Sequence, residues 1–159
     1  MATDIRLEDA LQHIDLALDG MCVTLEQLSD DLVNQRPDMP GANSPYVIAA
    51  HCCGVMEYWG ALALAGRSTD RDRDAEFAAS GTVAEAVALV RRQRAQLERD
   101  LTDFDGAAES VAELRRDRYT PAQLAAVRTQ GGVLLHIYEE LAQHRGHLDI
   151  TAGLLAAGR

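Results

Sequence analysis

Apolar side chains recur along most of this chain at alternating intervals of four and three. Between residues 5 and 35, Leu7, Leu11, Ile14, Leu18, Met21, Leu25, Leu28 and Leu32 keep that rhythm. A heptad-like seam of this kind predicts a helix packed at a shallow angle against its neighbours. Pro37 and Pro40 end it, because proline lacks the N–H that a helix interior needs. A second helix is expected to begin with Ser44 as N-cap and Pro45 at the first helical position, where a missing N–H costs nothing. Its seam reads Ile48, His51, Val55, Tyr58 and Leu62, and it stops near Gly66. A charged connection follows, carrying Arg71-Asp72-Arg73-Asp74-Ala75-Glu76-Phe77.

Thr82 with Glu85 forms a capping box for a third helix. Val83, Val87, Val90, Arg94, Leu97, Leu101 and Phe104 share its stripe. Residues 107–130 have weak helical content, with Pro121 inside them, and predict no firm element. A fourth helix runs from about Gly132 to Ala157 on the seam Leu134, Ile137, Leu141, His144, Leu148, Thr151 and Leu155, with Gly158 just past its end. The expected fold is all-α: an antiparallel four-helix bundle in one domain over residues 1–159. The long second and third connections leave room for a crossover.

Composition narrows the partners. The chain of 159 residues carries 25 acidic residues against 15 basic ones, a formal net charge of −10, and every basic residue is arginine. That balance argues against nucleic-acid and anionic-membrane binding, which rest on clustered positive charge. Met1-Ala2-Thr3-Asp4 has no signal-peptide character. The longest weakly polar run, Val55 to Gly66, is interrupted by Glu57 and is too short to span a bilayer. Of the three cysteines, Cys52 and Cys53 are adjacent, and neighbours rarely close a disulfide. Reduced thiols in a soluble cytoplasmic protein are the expectation.

The informative positions are those that interrupt the seams. His51 and His144 each place an imidazole in a stripe that is otherwise apolar. A lone histidine on such a face is most often a hydrogen-bonded core residue. Two of them on different helices of one bundle change that balance, because unpaired buried imidazoles are costly and a shared metal would satisfy both. A third ligand is needed. Glu140, one turn before His144, projects from the same face; its plainer reading is a solvated carboxylate beside Glu139. His147, three residues after His144, competes on geometry, and His136 can line the same pocket. Spacing leaves that choice open.

Other candidates have plainer readings. His13 lies off the first seam and is expected at the surface. Cys52 and Cys53 are turned about 100° and 200° from His51, as small buried residues would be. Arg94 either snorkels or meets an anion or carboxylate inside the bundle. The 71–76 run is expected to be a solvated connection with local ion pairs, or else a substrate-gating loop. Tyr58 and Trp59 are expected in the core or at a subunit contact, with Tyr58 able to border a cavity.

Several strings together resemble the DinB-like superfamily. They are Asn43-Ser44; His51 with Gly54-Val55-Met56-Glu57-Tyr58-Trp59; the 71–77 run; and His136-Ile137-Tyr138-Glu139-Glu140-Leu141-Ala142-Gln143-His144-Arg145-Gly146-His147-Leu148-Asp149. More narrowly, the chain is similar to the branch containing mycothiol-dependent thiol transferases and mycothiol-dependent maleylpyruvate isomerase. The likeness covers nearly the whole chain and is weakest over 107–130. The specific element is a glutamate, three residues, a histidine, two residues and a second histidine. Many DinB-like proteins show three histidine ligands, and the glutamate here aligns the chain with the mycothiol branch.

The resemblance implies a four-helix bundle with a divalent metal, usually zinc, held by His51, Glu140 and His144. It moves His147 out of the ligand set to the pocket or to a place behind a ligand; no further catalytic group is identified. It implies a detoxification-type S-transferase acting on a low-molecular-weight thiol, mycothiol, and an electrophilic small molecule. Arg94, Tyr58, Arg145 and Arg71 are the candidate substrate contacts. Rival readings are a metal-dependent hydrolase, a maleylpyruvate-type isomerase on the same site, and a non-catalytic helical-bundle homodimer.

Overall fold

The computed structural model describes residues 5–111 and 119–158. Its elements are α1 (Leu7–Glu26), α2 (Asp30–Asn34), α3 (Pro45–Tyr58), α4 (Arg73–Phe77), α5 (Val83–Asp100), α6 (Pro121–Ala126) and α7 (Gln130–Ala157), and α3 continues into a π-helical stretch, Trp59–Leu64. Among the described residues there is no strand, only an isolated bridge between Glu109 and Thr129.

The caps read from the sequence are made. Ser44 Oγ accepts from the Val47 N–H, with Pro45 in the first turn. Thr82 and Glu85 close a reciprocal capping box, each accepting from the other's N–H. The single helix expected over 5–35 is interrupted instead: α1 ends at Glu26, and Ser29 caps the separate α2 by accepting from the Leu32 N–H. The seam conceals this break because Leu32 returns to the core in register on the far side of it. Within the uncertain 107–130 stretch, Thr120 and Gln123 box the start of α6 around Pro121. Residues 112–118 of that stretch lie outside the described residues.

Four long helices form a closed ring of contacts, α1 with α7 and α5, and α3 with α5 and α7. Their directions follow from pairs at the two ends of each contact. His13 meets Tyr138 and Thr24 meets Asp149, so α1 and α7 run the same way. At one end Tyr46 approaches Gly81, and at the other Gly60 approaches Asp100, so α3 and α5 are also parallel. By contrast, α5 opposes α1, with Arg94 on Asp15 and, farther along α1, Cys22 beside Arg91. Helix α7 opposes α3, with His144 beside His51 and His136 beside Trp59. The order is therefore up, down, down, up, and the connection from α3 to α5 is a crossover.

That crossover, with α2, encloses α3, which also touches α2 and α4. Covered on every side, α3 buries Val47, Ile48, Ala49, Cys52, Cys53, Val55 and Met56 rather than one stripe. Ile14, Met21, Leu25, Leu97, Ile137, Leu141 and Leu148 join them in the fully buried core, each contributing about 1.5–3 kcal/mol by leaving water. The apolar run is also longer than the Val55–Gly66 stretch read from the sequence, reaching back to Pro45. Pro45–Leu64 is 20 residues of mean hydropathy 1.4, long and apolar enough by length and composition to cross a membrane, yet 78% of that window is buried against the rest of the chain. A fully surrounded core helix needs the same apolarity. Gly66, at φ +64°, closes the segment in the left-handed conformation that a side chain disfavours.

Candidate metal centre

Two helices that oppose one another deliver the site. On α3, His51 faces α7; on α7, Glu140 and His144 lie one turn apart and face back. One donor atom from each of the three lies within 4.8 Å of the other two. Tetrahedral zinc with bonds near 2.05 Å would set its ligand atoms about 3.4 Å apart, so small side-chain rotations would close this set on an ion. The imidazoles of His51 and His144 stand edge to face with centroids 4.9 Å apart, and His144 Nε2 is 3.7 Å from Glu140 Oε2.

The hydrogen-bond inventory supports an absent partner. Among the described residues, two buried side-chain atoms lack a hydrogen bond, Arg94 Nη1 and His144 Nδ1. The first still has the Glu98 carboxylate at 3.5 Å. His144 Nδ1 has no such compensation, and burying an unpaired polar atom is costly. The donor set is also apt: two imidazoles and one carboxylate suit zinc and leave a coordination position open. Proximity of the His144 imidazole, opposed by burial and helped by the charges of His136, His144 and His51, holds the Glu140 carboxyl below its ordinary value. An ionised Glu140 is the form a cation needs. The residues fit a divalent metal.

Behind His51 the structure holds a feature the sequence reading missed. Glu76 Oε2 lies 3.0 Å from His51 Nδ1. Arg71 grips both oxygens of the same carboxylate, Nε at 2.5 Å and Nη2 at 3.0 Å, and its guanidinium lies 5.6 Å from the Tyr58 ring centre. Burial works to raise the Glu76 carboxyl, but the hydrogen bonds from His51 and Arg71 outweigh it and leave it below its ordinary value. The 71–76 run is therefore more than a solvated connection, since its Glu76 is buried against α3. Gly54, one turn after His51, was the available signal. A Cβ there would overlap the Glu76 carboxylate, so glycine provides the notch that Glu76 occupies.

The other candidates are distributed as follows. His147 is exposed, with its ring 5.9 Å from that of His144. His136 packs edge-on against Trp59 at 4.7 Å, and both line a cavity of about 290 Å³ that also reaches Tyr119, Glu139, Glu140 and Gln143. A larger cavity of about 680 Å³ lies at the starts of α1 and α7, among Leu7, Phe104 and Gly132, and includes no member of the triad. Arg94 and Arg145 are not brought to the triad. Arg94 pairs with Asp15 in a groove between α1 and α5, and Arg145 donates to the Leu16 carbonyl across the flat surface of Gly20. His13 is exposed and touches Tyr138. The three cysteines are free and buried. Burial pushes the Cys52 thiol well above its ordinary value and that of Cys53 up to about 12, so both stay protonated and apolar in character.

A family model described as mycothiol-S-transferase matches residues 7–156, which is nearly the whole chain. No curated protein and no solved structure matches significantly.

Proposed function

The chain belongs to the mycothiol-S-transferase family, and from that premise we propose a metal-dependent enzyme that binds mycothiol at a divalent ion and transfers it to an electrophilic small molecule. The ion, zinc by the chemistry of the donors, would be held by His51, Glu140 and His144. The observation that carries this reading is their convergence from two opposed helices to within 4.8 Å. In this reading the fold is the DinB-like four-helix bundle, one domain over residues 1–159, working in the cytoplasm on small molecules.

When bound, zinc supplies the acidity that converts a thiol of pKa ~8.5 to thiolate at neutral pH, and an open position to receive it. The chain's own residues do the rest. Two neutral imidazoles and one carboxylate would hold a divalent ion with a net charge of +1, a charge that a single thiolate would balance in this half-buried site. Neutrality matters here because uncompensated charge is expensive where water is scarce. Trp59 and Tyr119 give the adjoining cavity aromatic walls, while Gln143 and His136 provide hydrogen-bonding groups beside Glu140. That cavity is the proposed berth for the body of a substrate. Tyr58 and Arg71 border the His51 side through their own contact, and His147 is proposed to sit at the rim. Over the whole reaction the thiol S–H bond breaks and a bond from sulfur to the electrophilic carbon forms; the proton ends on the atom that takes the displaced electron pair, which stays in the product in an addition and departs as the leaving group in a substitution.

The deciding experiment measures loss of mycothiol, and of other small thiols, against a panel of electrophiles, with the metal present and after its removal. Metal-dependent formation of the S-conjugate supports the proposal. Metal-dependent turnover that ignores thiol would turn the reading to a hydrolase. Purified protein without roughly stoichiometric metal, and without activity after metal is added, would leave a non-catalytic bundle.

A further inference from the structure

The segment joining the π-helical stretch to α5 is anchored on one ligand of the candidate centre. Glu76 meets His51 at Nδ1, the ring edge, and Phe77 lies against the same ring at 5.4 Å between centroids. Arg71 immobilises Glu76 from the other side with a forked pair. The group is shielded: the side chains of His51, Glu76 and Arg71 are 9%, 9% and 13% exposed. An ionised carboxylate can only accept, so the hydrogen between Glu76 and His51 belongs to Nδ1; in the neutral ring that a metal requires, Nε2 is then the lone-pair nitrogen. A neutral imidazole in that tautomer, locked at its far edge, is the form in which histidine serves as a metal ligand.

We propose that Glu76, held by Arg71 in the notch at Gly54, is a positioning residue for the metal centre: it fixes the tautomer and orientation of His51, and it links metal binding to the docking of the 71–77 strap. The inference rests on the reading of His51 as a ligand. Linkage is reciprocal. A strap that holds His51 in its binding form raises affinity for the ion, and the bound ion must stabilise the docked strap equally. Nothing in this requires Glu76 to touch substrate or metal.

The test uses the full-length protein stripped of metal with a chelator. Zinc affinity is measured by competition with a chromophoric chelator, and the Co²⁺ absorption spectrum reports ligand geometry. Glu76→Ala should weaken zinc binding about 10–100-fold, the usual effect of removing a group that orients a ligand. Glu76→Gln retains an acceptor for the Nδ1 hydrogen and should recover part of the loss. Gly54→Ala touches neither His51 Nδ1 nor the ion, yet it should produce a similar loss by displacing the carboxylate; it also keeps the test decisive if Glu76→Ala fails to fold. Tryptic cleavage after the exposed Arg73 should slow when wild-type protein takes up zinc, and should not slow in Glu76→Ala. If the wild type binds zinc and folded Glu76→Ala binds it as tightly with the same Co²⁺ spectrum, this inference is overturned and the ligand assignment survives. If the wild type binds no metal, the ligand assignment falls and takes the inference with it.

Discussion

Two polar clusters are attached to the apolar helix α3, less than two turns apart, and they are completed differently. Around Arg67 every charge has its partner. The guanidinium donates to Glu57 at 2.8 and 3.2 Å and to Asp100 at 2.9 and 3.1 Å, while Gln93 and Gln96 donate to the same two carboxylates. Around His51 the outward edge is equally complete, through Glu76 and Arg71, but the inward edge is not. The neighbouring His144 has a buried Nδ1 without a hydrogen bond, and Glu140 stands 3.7 Å from its Nε2, beyond hydrogen-bonding distance. A closed network of buried groups specifies a structure. A network left open on one side, at a cost in stability, is where a ligand belongs. Arg67 thus holds the end of the crossover, and His51 belongs to the proposed site.

Breaking the open cluster should have the largest effect. His51→Ala and His144→Ala should each abolish metal retention, measured as metal content after purification, while His13→Ala on the outer face of α1 should retain it. Equal retention in all three would refute the triad. A smaller step sharpens the choice of third ligand. Glu140→Gln should lower zinc affinity in chelator competition by more than the about 10–100-fold typical of losing a group behind a ligand, whereas His147→Ala should leave it within about twofold. The reverse result would hand the third place to His147.

The closed cluster should respond in stability instead. Arg67→Ala leaves the Asp100 carboxylate, 3% exposed, without its cation, and should cost about 2–3 kcal/mol in urea unfolding with zinc affinity unchanged. A tenfold fall in affinity would show that the two clusters are coupled along α3. The smallest effect is on pH. Hydrogen bonding from Arg67, against the opposing pull of burial, holds the Glu57 carboxyl below its ordinary 4.5. The folded protein therefore favours the ionised form. The stabilisation is complete above about pH 4.5 and is lost as pH falls through the lower folded value. For this partly exposed pair it should amount to no more than about 1 kcal/mol. In Glu57→Gln that part of the acid slope should vanish from denaturation curves measured at stepped pH.

Much of this was legible in the chain, and the exceptions are instructive. The seams located the long helices because burial on one face imposes a 3.6-residue period on any sequence. They failed at Gln27–Ser29, where a helix stops while the apolar register continues across the break. On α3 they found the helix and its cap but understated its burial, because enclosure on every side buries far more than one stripe. His51 and His144 stood out because each contradicts its own seam. Glu76 did not, because one carboxylate among Arg71, Asp72, Arg73 and Asp74 looks like any charged connection. Only its placement against Gly54 distinguishes it. Arg94 and Arg145 looked available for a substrate, and packing gave them Asp15 and the Leu16 carbonyl.

By itself, the sequence determined where the long helices lie, which stripes most of them bury, and that two imidazoles interrupt those stripes with a carboxylate one turn from one of them. These are local matters, settled by period, capping and the cost of an unpaired polar group. The tertiary structure decided that α3 and α7 oppose one another, which brings His51 against His144, and that the crossover folds back to set Glu76 behind His51. Periodicity carries no information about direction or about the path of a connection. Those depend on which faces find one another across the core, and there the site was assembled.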